Sequence, residues 1–143
     1  EGTSSLHFAT STKMIGGGLD EQLEKFVREH SDTKLVIVDT LQKVREAVSD
    51  SYSYSSDYEV SGKLKQFADR YGVCVLIVHH TRKQPAGDSF EMISGTTGLL
   101  GCADGALLMQ KEKRTDSKAT LEVVGRDQPD QRLYLSKDQE SLV

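Results

Sequence analysis

The sequence predicts an α/β fold, a three-layer, mostly parallel sheet that ends in a C-terminal antiparallel β-hairpin. Three observations lead there. Leu35-Val36-Ile37-Val38 and Val73-Cys74-Val75-Leu76-Ile77-Val78 are apolar runs without polar alternation, the pattern of strands buried on both faces of a parallel sheet. Each follows a segment whose apolar residues recur at helical spacing, and strands alternating with helices build parallel sheets. The last third instead carries Thr120-Leu121-Glu122-Val123-Val124 and Arg132-Leu133-Tyr134-Leu135 around a turn-forming Asp127-Gln128-Pro129-Asp130, which reads as a hairpin.

Element by element, Leu6-His7-Phe8-Ala9 reads as a short first strand, and Gly16-Gly17-Gly18 as a flexible turn. A helix follows from about Asp20, with Leu19, Leu23, Phe26 and Val27 on one face, and Ser31-Asp32-Thr33 ends it. Residues 35–39 form the next strand. The Ser- and Tyr-rich stretch 49–58 has no apolar periodicity and reads as a loop, with Asp57 as the cap of a second helix marked by Val60, Leu64, Phe67, Ala68 and Tyr71. Gly72 stops that helix before the strand that ends in His79-His80. Residues 82–95 are polar, contain Pro85 and Gly87, and read as a second loop. Thr96 to Ala103 forms a short helix, Ala106 to Met109 a strand, and Lys111 to Lys118 a charged turn.

Composition narrows the class. At 143 residues the chain is read as a single domain, 1–143, large enough for a core, and 36% apolar with 28% charged residues suits a globular protein. A net charge of -4 argues against a uniformly basic nucleic-acid binder while leaving local basic loops open. No apolar run approaches about 20 residues, so no membrane span is expected. The start, Glu1-Gly2-Thr3-Ser4, has no basic and apolar leader pattern, and Cys74 and Cys102 read as reduced, buried thiols, so a cytoplasmic location is expected.

Asp39 is the leading chemical candidate. Four apolar residues deliver it to the carboxyl end of a strand, where open α/β sheets bind ligands. A carboxylate there can hold Mg²⁺ through water, since that ion keeps most of its hydration shell; the competing role is to cap the next turn. His79 and His80 end the neighbouring strand and point to opposite faces, which argues against one shared metal and leaves one imidazole free to meet a phosphate. Ser94-Gly95 offers a hydroxyl and backbone N–H groups near a helix start, suited to an anion or to simple capping. Arg126 is either solvated or a donor to a neighbour's phosphate, and Arg82 and Lys83 suit a nucleic-acid backbone or open solvent. Tyr52, Tyr54 and Tyr58 could stack on bases. A phosphate-binding G-x-x-x-x-G-K-[ST] loop occurs nowhere in the 143 residues: Gly62-Lys63 is followed by Leu64, and no lysine follows Gly16-Gly17-Gly18.

Together these segments resemble the RecA-like P-loop ATPases of the RepA and DnaB helicase type, with the RepA-like AAA ATPases of phages, plasmids and bacterial mobile elements the nearest in look. The resemblance runs from Leu6 to about Leu135. Leu35 to Gln42 is similar to the Walker B segment, which implies Asp39 as the Mg²⁺-water ligand with Thr40 beside the nucleotide. Val75 to Lys83 resembles the motif with a polar phosphate sensor, His80 in preference to His79. Ile93 to Asp104, with Ser94 and Gly95, resembles the Ser-Gly turn that leads to an Ala-Asp before a strand, and Val124-Gly125-Arg126-Asp127 the segment that supplies an arginine in trans.

The resemblance implies an ATP- and Mg²⁺-dependent protein of DNA replication or repair. It also implies DNA contacts in the loops after Asp39 and His80, and self-association as a ring or swapped dimer. Relative to the family pattern the N-terminal P-loop strand and helix have no counterpart, so the chain resembles the C-terminal half or more of such a domain. ATP is therefore not expected to bind tightly or turn over on this chain alone. The alternatives are a non-catalytic DNA-binding or oligomerisation module on a RecA-like fold, and a phosphatase- or receiver-like domain with Asp39 as nucleophile. The last needs further acids at strand ends, for which Asp32 and Asp104 are poorly placed.

Overall fold

In the computed structural model the described residues are 5–45, 54–80, 98–113 and 115–138, with side chains of the second stretch described from residue 58. The chain divides into two compact units, Glu1–His80 and Thr81–Val143. The first holds α1 (Leu19–Glu29), β1 (Leu35–Asp39), α2 (Leu41–Val44), α3 (Tyr54–Tyr71) and β2 (Cys74–Val78); the second holds α4 (Gly98–Cys102), β3 (Gly105–Gln110), β4 (Lys118–Gly125) and β5 (Gln128–Ser136).

In the first unit the glycine run makes the entry to α1. Gly16 and Gly18 take φ of 83° and 108°, a region that side chains disfavour, and the N–H groups of Gly17 and Leu19 both donate to the Met14 carbonyl. Asp20 and Glu21 in the first turn and Arg28 in the last complement the helix dipole. The helix ends at His30, whose carbonyl accepts from both the N–H and the hydroxyl of Thr33. Gly72 ends α3 with φ of 62°, and the Val73 N–H donates back to the Ala68 carbonyl at 3.1 Å, a Schellman closure. Its usual hydrophobic contact is present: Val73 is buried with Phe67 and with Val27 of α1, and Leu23, Phe26, Val36, Tyr71 and Val75 pack around them. This core joins both helices to the inner face of a two-stranded parallel sheet in which Leu35 pairs with Cys74, Ile37 with Leu76 and Asp39 with Val78.

Several expectations are corrected here. Residues 6–9 form no strand: Leu6 and Phe8 are 59% and 86% exposed. What fixes this segment is the His7 ring, 5.3 Å from Phe26 and 4.3 Å from His30. Helix α3 begins at Tyr54, so Asp57 lies inside its first turn and Tyr58 is helical; no Gly or Pro breaks 54–61, and the tyrosines and serines continue the frame set by the apolar face. The strands are covered on one face only. Leu35, Ile37, Cys74 and Leu76 share the other face and are exposed, so Cys74 is a free, accessible thiol. An apolar run shows that a strand avoids polar residues, not that both its faces are packed.

The second unit is a three-stranded antiparallel sheet in the order β3-β4-β5, with Leu108 and Val123 buried. The β4–β5 turn is Arg126-Asp127, because Gly125 pairs with Gln128. Pro129 and Asp130, read as turn residues, instead lie in β5, an edge strand in which the missing proline N–H can face outward. Glu122 of β4 is ion-paired with Arg132, its cross-strand partner in β5. The charged 111–118 turn is held by Asp116, whose carboxylate accepts from the Lys113 N–H.

Candidate functional site

Parallel pairing brings the carboxyl ends of β1 and β2 to one sheet edge. Asp39 is the last residue of β1 and pairs with Val78, the last of β2, so Thr40 and His79-His80 leave the sheet at the same end. The peptide bond between Asp39 and Thr40 is cis. Asp39 is exposed, and among the described residues its carboxylate makes no hydrogen bond or ion pair. Capping does not employ it, since Thr40 is the N-cap of α2 and makes no side-chain cap bond. The segment after Asp39 is anchored instead by burial of Leu41 and Val44 and by the Ile15 N–H, which donates to the Val44 carbonyl at 2.7 Å.

The two histidines differ in environment. His80 is exposed, whereas His79 is half-buried and its Nδ1 has no hydrogen-bond partner. Burial, followed by the Arg45 charge and the neighbouring His80, holds the His79 imidazole below its ordinary pKa, which favours its neutral form. Arg45, at the C-terminal end of α2, is a residue that sequence reasoning misses. It lies six residues beyond Asp39 with no motif around it, and only the fold of α2 carries its charge toward His79.

In the second unit Arg126 occupies the β4–β5 turn, where its guanidinium is 3.5 Å from the Asp104 carboxylate. Ser94, Gly95, Arg82, Lys83 and Tyr52 lie outside the described residues. Tyr58 sits on α3 and is 50% exposed.

The edge at Asp39 fits a hard divalent cation that keeps its waters. Among the described residues its accessible carboxylate has no competing partner, and no cluster of three or more His, Cys, Asp or Glu forms a complete protein cage.

A family model described as an AAA domain matches residues 5–86, more than half of the chain. The chain belongs to this AAA domain family. The matched span contains Asp39, Thr40, both histidines and Arg82-Lys83, and stops short of Ser94 and Arg126. No curated protein matches the sequence. Among solved structures, the ATPase domain of a phage protein is similar with a TM-score of 0.70 and 15% identity, over 90% of this chain and 50% of that one. A DnaB-like replicative helicase, described with its interactions with primase, is similar with a TM-score of 0.72 and 15% identity, over 91% of this chain and 34% of that one. The AAA domain thus has the RecA-like fold of replicative-helicase ATPase domains and spans half or less of the length of these two chains. Among its described residues no helix is long and apolar enough to cross a membrane.

Proposed function

We propose that this AAA domain is part of an ATP-dependent ATPase of DNA replication or repair, of the RepA/DnaB helicase type. The observation that carries the reading is the Asp39 carboxylate, without a partner among the described residues, at the shared end of two parallel strands and near His79 and His80 in the chain path. Asp39 would hold Mg²⁺ through water, with Thr40 next to the nucleotide. When bound, the ion neutralises charge on the phosphates. His80, being exposed, would meet the terminal phosphate, while partial burial favours the neutral form of His79. Arg126 would serve a neighbouring protomer's nucleotide, and Arg82 and Lys83 would face the DNA backbone.

The 143 residues contain no G-x-x-x-x-G-K-[ST], so ATP turnover by this chain alone is expected to stay at background. A radiolabelled-ATP assay checks this; turnover above background that vanishes in Asp39→Asn would overturn it. The second reading is a non-catalytic DNA-binding or oligomerisation module on the same fold, to which the exposed apolar strand face of Leu35, Ile37, Cys74 and Leu76 is suited. The codons that precede Glu1 separate the two: a phosphate-binding loop there supports the ATPase, and a start codon the module.

Self-association as a ring or swapped dimer is part of the proposal. Leu35, Ile37, Cys74 and Leu76 make an exposed apolar face, and β2 is paired on one edge only among the described residues. Sedimentation velocity should show concentration-dependent association that Ile37→Glu weakens. A strictly monomeric native chain would count against it.

A further inference from the structure

We propose that Asp104 is the positioning residue for Arg126. Two contacts join them. The Arg126 N–H donates to the Asp104 carbonyl at 2.9 Å, and the Arg126 guanidinium lies 3.5 Å from the Asp104 carboxylate. Both side chains are 61% exposed, and an exposed ion pair by itself fixes little, because two long side chains must be ordered for a screened attraction. Here the backbone bond has already placed the two residues together, so the carboxylate has only the remaining arginine torsions to restrain.

The sheet is built to allow this approach. Gly105 and Gly125 stand opposite each other at the end of the β3–β4 ladder. A Cβ on Gly105 would lie 2.9 Å from the Val124 carbonyl oxygen and 3.5 Å from the Gly125 Cα, backbone atoms that cannot swing aside. The absent side chain lets β3 and β4 close up at the point where Asp104 enters one strand and Arg126 leaves the other. Arg126 then sits in a two-residue turn that limits its backbone, and Asp104 limits its side chain. The outcome is an exposed guanidinium held beside Asp104 with restricted freedom, which a group that must find another protomer's phosphate requires. The positioning is read from the contacts themselves; only this use of it rests on the role proposed above for Arg126.

The test is NMR on the full chain, following the Arg126 Nε–Hε group, assigned through its loss in Arg126→Lys. Asp104→Asn is expected to make this group more mobile while the Arg126 backbone amide stays protected, because its acceptor is a main-chain carbonyl. Asp104→Glu should restore part of the order. Raising NaCl to about 1 M, where the screening length is about 3 Å, should loosen the group in the native chain and leave Asp104→Asn unchanged, a response that a purely structural role would not give. Equal order in the native chain and Asp104→Asn, with no response to salt, would overturn the proposal. Titration with tripolyphosphate separates it from the functional reading: if Arg126→Ala binds this anion as the native chain does while Asp104→Asn still frees the side chain, the positioning stands and the phosphate role of Arg126 falls.

Discussion

Leu41→Ala is expected to destabilise the first unit by about 2–5 kcal/mol, the range for emptying a fully buried leucine site, and to lower its melting temperature by roughly 8–40 °C. Leu41 has 0% exposure, and it follows directly on the two residues that leave β1 at the proposed site. Ile15, Leu19 and Val44 of the same unit are themselves buried, and the Ile15–Val44 backbone bond fixes the loop before α1 against the end of α2. Leu35→Ala makes the same chemical change at a residue that is 50% exposed, and should stay within about 0.5 kcal/mol of the native value. Chemical denaturation of both variants checks the contrast. Equal losses would mean that burial in this unit does not follow the packing described.

The same contrast shows what a sequence can and cannot disclose. The helix around Leu23 and Phe26 is legible because its apolar spacing matches one face of a helix, and Gly72 is legible as a stop because a left-handed residue is needed there. Both are local properties. The outward exposure of Ile37 and Leu76 is not, since an apolar strand reads alike whether or not something covers it. Residues 6–9 have strand-like composition, but a strand needs a partner ladder, and this segment is held instead by the His7 ring against Phe26 and His30. Residue types alone place the hairpin turn too late, because Pro129 is a strong turn signal in isolation, whereas the pairing of Gly125 with Gln128 decides where the chain reverses.

For the site the division is similar. Asp39 and the histidines can be brought together from sequence because parallel strands end at a common edge, and the apolar runs mark both strands. Arg45 acts on His79 only through the fold of α2, and Asp104 meets Arg126 only through the β3–β4 register. Neither relation has a signature in residue order. The choice of His80 as the phosphate-facing imidazole rests on resemblance; the structure adds that the two histidines are chemically unlike, one solvated and one desolvated.

Asp39→Asn should separate activity from stability. Among the described residues the carboxylate holds no hydrogen bond or ion pair, so its replacement by a side chain of the same shape should change folding stability by less than about 0.5 kcal/mol. Its effect on a divalent ion should be large, because the ion prefers an anionic oxygen and Asp39 supplies one at the exposed end of β1. In the chain itself, Mn²⁺ used as a paramagnetic probe should broaden the amide signals of Asp39, Thr40 and His80, and Asp39→Asn should abolish that broadening. In a protein that carries this AAA domain together with a phosphate-binding loop, the substitution should lower kcat by about 100-fold, equivalent to losing roughly 3 kcal/mol of metal-assisted charge stabilisation. Raised Mg²⁺ should recover part of that loss. Asp32→Asn, at an exposed acid in the turn between α1 and β1, supplies the comparison and should leave both readouts unchanged. If the Asp39 and Asp32 variants behave alike, the carboxylate at the end of β1 is not the metal arm of the site, and the proposed role of this strand edge fails with it.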